Sequence, residues 1–102
     1  MITKWLNEIL EVCCEEFEVN IDDVKSKSKK TDFIYCRMAF IAIVKEKFDL
    51  CNDRIGNTIN RTHNDISHLF NNPSENRYFK ITLARIRSKL RDFERISNNQ
   101  EE

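Results

Sequence analysis

Between positions 61 and 68 the chain sets out Arg61, Thr62, His63, Asn64, Ser67 and His68, a run rich in side chains that donate or accept hydrogen bonds. The chemistry open to them is narrow. The two histidines and four cysteines (Cys13, Cys14, Cys36, Cys51) show neither a CxxC pair nor a Cys/His ligand spacing, so no metal is expected. No nucleophile–base pairing is legible, and Glu8, Glu11, Glu15 and Glu16 form no acid–base constellation, so catalysis is not expected either. The nucleotide-binding pattern GxxxxGK[ST] does not occur, and no cofactor is implied. What remains is recognition by hydrogen bonding. A carboxamide such as Asn64 can bond adenine N6 and N7 together, while Arg61 can take guanine or a phosphate. His63 alone reads as an ordinary surface histidine. Its place at the start of a helix gives it a second reading, as a reader of base edges.

The stretch that must position these groups is NDRIGNTINRTHNDISHLF, residues 52–70, which predicts two short helices joined by a tight turn. Asn52 suits the N-cap of the first, since its side chain can accept from free backbone N–H groups. Ile55 and Ile59 share one face. Gly56, the single glycine of the chain, lies inside that helix, where glycine costs about 0.5–1 kcal/mol; a second backbone passing close by would explain it. Asn60 and Arg61 break the pattern. Thr62 and Asp65 then form a capping box that starts the second helix. Ile66, Leu69 and Phe70 give this helix its buried face and leave His63, Asn64 and Ser67 outside. A helix-turn-helix reader of DNA has this form, with polar residues of the second helix reaching bases in the major groove.

IGNTINRTHNDISHL resembles the helix-turn-helix signature of the bacterial replication initiator DnaA. The C-terminal DNA-binding domain of that family, Trp-repressor-like in its helix-turn-helix, carries Ile-Gly, then Arg-Asp-His-Thr-Thr-Val, then a His. Upstream, FEVNIDDVKSKSKKTDFIYCRMAFIAIVKE is similar to that domain's preceding segment, with its basic loop and an arginine at the start of the next long helix. The resemblance spans about residues 9–70. It implies that the basic loop reaches the minor groove and backbone. It implies that Arg37 and Lys45 touch phosphates, and that Arg61, His63 and His68 match the family's Arg, His and later His. Thr62, Asn64, Asp65 and Ile66 replace its Asp, Thr, Thr and Val, and the segment between Ile-Gly and Arg is one residue shorter. These departures fall on base-reading positions and leave the target sequence open. With no ATP-binding motif, the chain looks like the DNA-binding domain standing alone with an added C-terminal helix.

At 102 residues the chain predicts one all-α domain of about six helices over 1–96, with a flexible tail at 97–102. A first helix runs from Thr3 to about Phe17 with its carboxylates in solvent. Asn20 caps a short helix that buries Val24. KSKSKK, residues 25–30, holds no apolar residue and reads as a loop. Thr31 or Asp32 starts the longest core helix, with Phe33 or Ile34, Met38, Ile41, Ala42 and Phe48 as candidates for burial, ending near Asp49. Asn72, Pro73 and Glu75 read as the start of an amphipathic helix over about 73–95, with Phe79, Leu83, Ile86, Leu90 and Phe93 on one face and Arg85, Arg87, Lys89 and Arg91 on the other. That stripe either packs on the core or forms the seam of a homodimer. All four thiols read as reduced, in or near the core of a cytoplasmic protein. The longest apolar run, Met38–Val44, is too short to span a bilayer, and no signal-peptide pattern opens the chain.

The formal net charge of zero hides an asymmetry: residues 1–24 carry one lysine against seven carboxylates, residues 25–95 sixteen Lys/Arg against eight. Basic groups gathered on one face suffice for nucleic acid. The expected partner is double-stranded DNA and not a membrane. The DNA-binding set is Lys25, Lys27, Lys29, Lys30, Arg37, Lys45, Arg61, Thr62, His63, Asn64, Ser67 and His68. Transcription control and replication control both remain open, and so does the alternative of a protein-interaction module that keeps the scaffold without reading DNA.

Overall fold

The computed structural model describes the backbone of residues 2–100 and the side chains of residues 3–91. Six helices follow one another: α1 (Ile2–Phe17), α2 (Ile21–Lys25), α3 (Thr31–Lys47), α4 (Asn52–Thr58), α5 (His63–Asn71) and α6 (Arg77–Gln100). The fold is all-α, with no strand among the described residues.

The core forms around α3. Cys36, Ala39, Phe40, Ile41, Ile43 and Val44 are buried, while Ile34, Met38, Ala42 and Phe48 are partly covered. A helix apolar on nearly every side belongs at the centre of a bundle. It lies against α1, α2, α5 and α6. Helix α1 contributes Leu6, Ile9, Leu10, Cys13 and Phe17, at the expected helical spacing, and α4 and α5 contribute Ile55 and Ile66. Val24 of α2 is fully buried, as expected.

Helix α6 packs within the chain. Phe79, Leu83, Ile86 and Leu90 are buried, and Phe93 falls outside the described side chains. Phe17 of α1 and Tyr35 of α3 form an aromatic cluster with Tyr78 and Phe79; the Phe17–Phe79 centroids are 6.3 Å apart and the Tyr35–Phe79 centroids 5.5 Å. Part of the basic face of α6 is used in ion pairs: Lys89 and Arg85 meet Glu16 of α1, and Arg87 meets Glu46 of α3 with both nitrogens on one carboxylate.

Several sequence expectations are corrected. Helix α6 begins four residues later than Pro73, with Asn76 as its cap: Asn76 Oδ1 accepts from Phe79 N at 3.3 Å. Asn72 instead closes α5, its amide donating to the His68 carbonyl at 2.8 Å. Asn52 is the first residue of α4, with Cys51 in the cap position, and Asn52 Oδ1 is buried without a partner in the structure. Asn20 holds its cap position without a side-chain bond. Phe70 is 45% exposed, because the turn of α5 that buries Ile66 carries it past the edge of α3, where the Lys45 ammonium lies 4.9 Å from its ring centroid. Cys51 is exposed, while Cys13, Cys14 and Cys36 are buried. Helix α6 runs to Gln100.

Candidate nucleic-acid interface

The helix-turn-helix is built as its sequence dictates. Thr62 is the N-cap of α5: its hydroxyl accepts from Asp65 N at 3.2 Å, and Asp65 Oδ2 accepts from Thr62 N at 3.4 Å. That reciprocal pair fixes the entry angle of the helix. It also directs His63 and Asn64, the first two residues of α5, outward, and both are exposed. Ile66 anchors the opposite face, fully buried. Between the helices Asn60 takes φ of 58°, the left-handed region that asparagine tolerates. Arg61 N then donates to the Gly56 carbonyl at 2.8 Å. A Cβ on Gly56 would lie 2.3 Å from the Arg61 carbonyl oxygen, so a passing backbone does account for the glycine.

A cleft of about 1060 Å³ opens between the start of α5, the end of α4 and the loop that follows α2. It gathers Lys27, Lys29, Arg37, Arg61, Thr62, His63, Asn64 and His68 of the expected set. Four members stand apart. Lys25 is half-buried, and its carbonyl accepts from Asn60 Nδ2 at 3.3 Å. Lys30 lies 5.7 Å from the centroid of the Phe33 ring, and Lys45 sits over Phe70. Ser67 is half-buried, with its hydroxyl accepting from Asn71.

Arg37, for which the resemblance implies phosphate contact, lines the cleft and also bonds backbone carbonyls of its own chain. It is only 2% exposed. Its Nε donates to the Val24 carbonyl at 2.8 Å, and its Nη2 to the Ser26 and Asp23 carbonyls at 3.0 and 3.3 Å. The chain leaving α2 has few backbone partners of its own, so a buried guanidinium satisfies its carbonyls. Burial first, then the like charge of Arg61, press its pKa below the ordinary value. Arg61 Nη2 donates to the same Ser26 carbonyl, and its Nη1 to the Asn60 carbonyl at 3.1 Å.

The residues that line the cleft outside the expected set include Asp53, Asn57 and Asn60. Asn60 carried a legible signal, since an asparagine that breaks a helical pattern suits a left-handed turn. Nothing in the pattern marked Asn57 or Asp53, whose facing depends on how α4 docks.

A family model described as the bacterial DnaA protein helix-turn-helix matches residues 6–72, about two-thirds of the chain, and leaves α6 outside the match. No curated protein matches the chain.

Proposed function

We propose that this chain, which belongs to the bacterial DnaA helix-turn-helix family of DNA-binding domains in replication initiation, binds double-stranded DNA sequence-specifically through its cleft. Helix α5 enters the major groove, where His63 and Asn64 meet base edges, and Lys27 and Lys29 meet the adjacent backbone or minor groove. The observation that carries this reading is the cleft itself. It brings two exposed lysines of the loop to the same opening as the first turn of α5, although some thirty residues separate them in sequence. Such a juxtaposition supplies both halves of recognition, phosphate contact for affinity and base contact for specificity. The role is one of binding, with no catalytic step, and it serves replication or transcription control in the cytoplasm, where bacterial DNA lies.

The interaction-module reading has less to stand on. It needs the apolar stripe of α6 to be free for a partner, and the four described stripe residues are buried against the chain's own core.

Titration of random duplex DNA at several salt concentrations tests the proposal. Wild type should show a steep fall of log K with log salt, and Lys27→Ala with Lys29→Ala should flatten that slope by about 0.9 per lost phosphate contact. Salt-independent binding, or none, would overturn it.

A further inference from the structure

The basic loop is tied to the turn of the helix-turn-helix by two side chains of that turn. Asn60 Nδ2 donates to the Lys25 carbonyl at 3.3 Å, and Arg61 Nη2 donates to the Ser26 carbonyl. From beneath, Arg37 holds the carbonyls of Asp23, Val24 and Ser26. Four successive carbonyls, residues 23–26, are thereby fixed by three side chains, and the Ser26 oxygen uses both of its acceptor sites on two guanidinium groups. Ser26 Oγ donates to the Asp23 carbonyl at 2.6 Å, which tightens the same bend. The lysines that follow, Lys27 and Lys29, are exposed at the edge of this anchored segment.

We propose that Asn60 and Arg61 are positioning residues, whose side chains hold the basic loop at a fixed offset from the recognition helix so that both engage the duplex as one rigid unit. This rests on the DNA-binding reading above and deepens it. The offset decides which phosphates the lysines meet once α5 is seated, so the tie sets the register between the two contacts. The turn is itself fixed, because Arg61 N is bonded to the Gly56 carbonyl and Thr62 is locked in the capping box. A preorganised pair of contacts avoids the ordering cost that a free loop would incur on binding.

The rival role for Arg61 is direct contact with phosphate or guanine, and a double-mutant cycle separates the two. Asn60→Gly keeps the left-handed turn, which glycine adopts without strain, and removes only the tie. Arg61→Ala removes the second tie. Each is made in the wild-type background and in one carrying Lys27→Ala and Lys29→Ala. With the loop lysines present, the combined turn variant should weaken duplex binding by about tenfold; with them absent, by about twofold or less, because residues acting through a shared partner are not additive. Equal weakening in both backgrounds would mean that Arg61 binds DNA in its own right and would overturn the proposal. Hydrogen exchange of the free protein gives a second reading that needs no DNA. Asn60→Gly alone should speed exchange of the 27–30 amides by about fivefold while leaving those of α1 unchanged. Unchanged exchange in the loop would overturn the tie even if Arg61→Ala fails to fold. If wild type binds no DNA, the proposed function fails while the exchange result still stands for or against the tie.

Discussion

Gly56→Ala should destabilise the protein, although the same substitution in an ordinary helix stabilises it. Removing glycine from a helix interior is worth about 0.5–1 kcal/mol in backbone entropy. Against that stands the new methyl, 2.3 Å from the Arg61 carbonyl oxygen, 3.2 Å from its carbonyl carbon and 3.3 Å from Ile66 Cγ1. Ordinary C···O contact needs about 3.3 Å, so the two segments must separate by roughly 1 Å. Two of the three obstructing atoms are backbone, and the third belongs to a fully buried side chain. Separation also stretches the 2.8 Å bond from Arg61 N to the Gly56 carbonyl, worth about 1 kcal/mol net. Overpacking of this kind costs about 1–3 kcal/mol, and with the strained bond it outweighs the helix gain. The net expectation is a loss of about 1–3 kcal/mol. For a domain near this size, that is a fall in Tm of roughly 5–20 °C. Thermal and urea unfolding followed by circular dichroism measure it, with an unchanged m-value confirming that the same surface is exposed. A variant as stable as wild type, or more so, would refute the close-approach account of the glycine.

Other expectations follow from the same geometry. Asn64→Ala should weaken binding to the best selected site by about 1–3 kcal/mol and leave random duplexes nearly unaffected, since Asn64 is exposed and has no structural bond to lose; equal weakening on both, in parallel fluorescence titrations, would mean that α5 does not read bases there. Truncation after Asn76 removes Phe79, Leu83, Ile86 and Leu90 from the core. At about 1.5–3 kcal/mol each against a total stability of about 5–15 kcal/mol, cooperative unfolding should be lost. A truncated chain that still unfolds cooperatively, with a dimer lost in sedimentation, would instead make α6 an intermolecular seam.

Much of this was legible because local chemistry decided it. The capping box at Thr62 and Asp65 follows from residues within one turn of each other, and the glycine at 56 and the burial of Ile66 from one short helix-turn-helix pattern. The stripe of α6 was likewise visible at helical spacing. The errors arise where two local signals compete. Asn72-Pro-Ser-Glu has the form of a helix start, but Asn72 also lies four residues beyond the free His68 carbonyl, and closing α5 took precedence. Asn76 then capped α6 one turn later. Phe70 was expected inside because it continues an apolar face. The docking angle of a nine-residue helix decides whether its last turn reaches the core, and no sequence period reports that angle. The role of Arg37 was hidden for the same reason: a cation in a basic segment reads as a surface charge, and only the fold shows four carbonyls converging on two arginines and an asparagine.

The electrostatics of the cleft bear on specificity. Asp53 and Asp65 share it with Lys27 and Lys29, so it is not a uniformly basic trough. The Asp65 carboxylate is committed to the cap of α5, where the partial positive charge of the helix N-terminus offsets it. Asp53 lies in the first turn of α4, another helix N-terminus. The strongly acidic first 24 residues contribute no lining to the cleft. The formal net charge of zero averages an acidic first segment against a basic remainder, and the lysines that line the cleft are Lys27 and Lys29 of one short loop. On the proposed reading, the margin over random sequence depends on seating α5 and the loop together. A loop held in place before binding suits a protein in that position. On that reading, the geometry in which Lys27 and Lys29 meet the duplex contributes to recognition beside their charge.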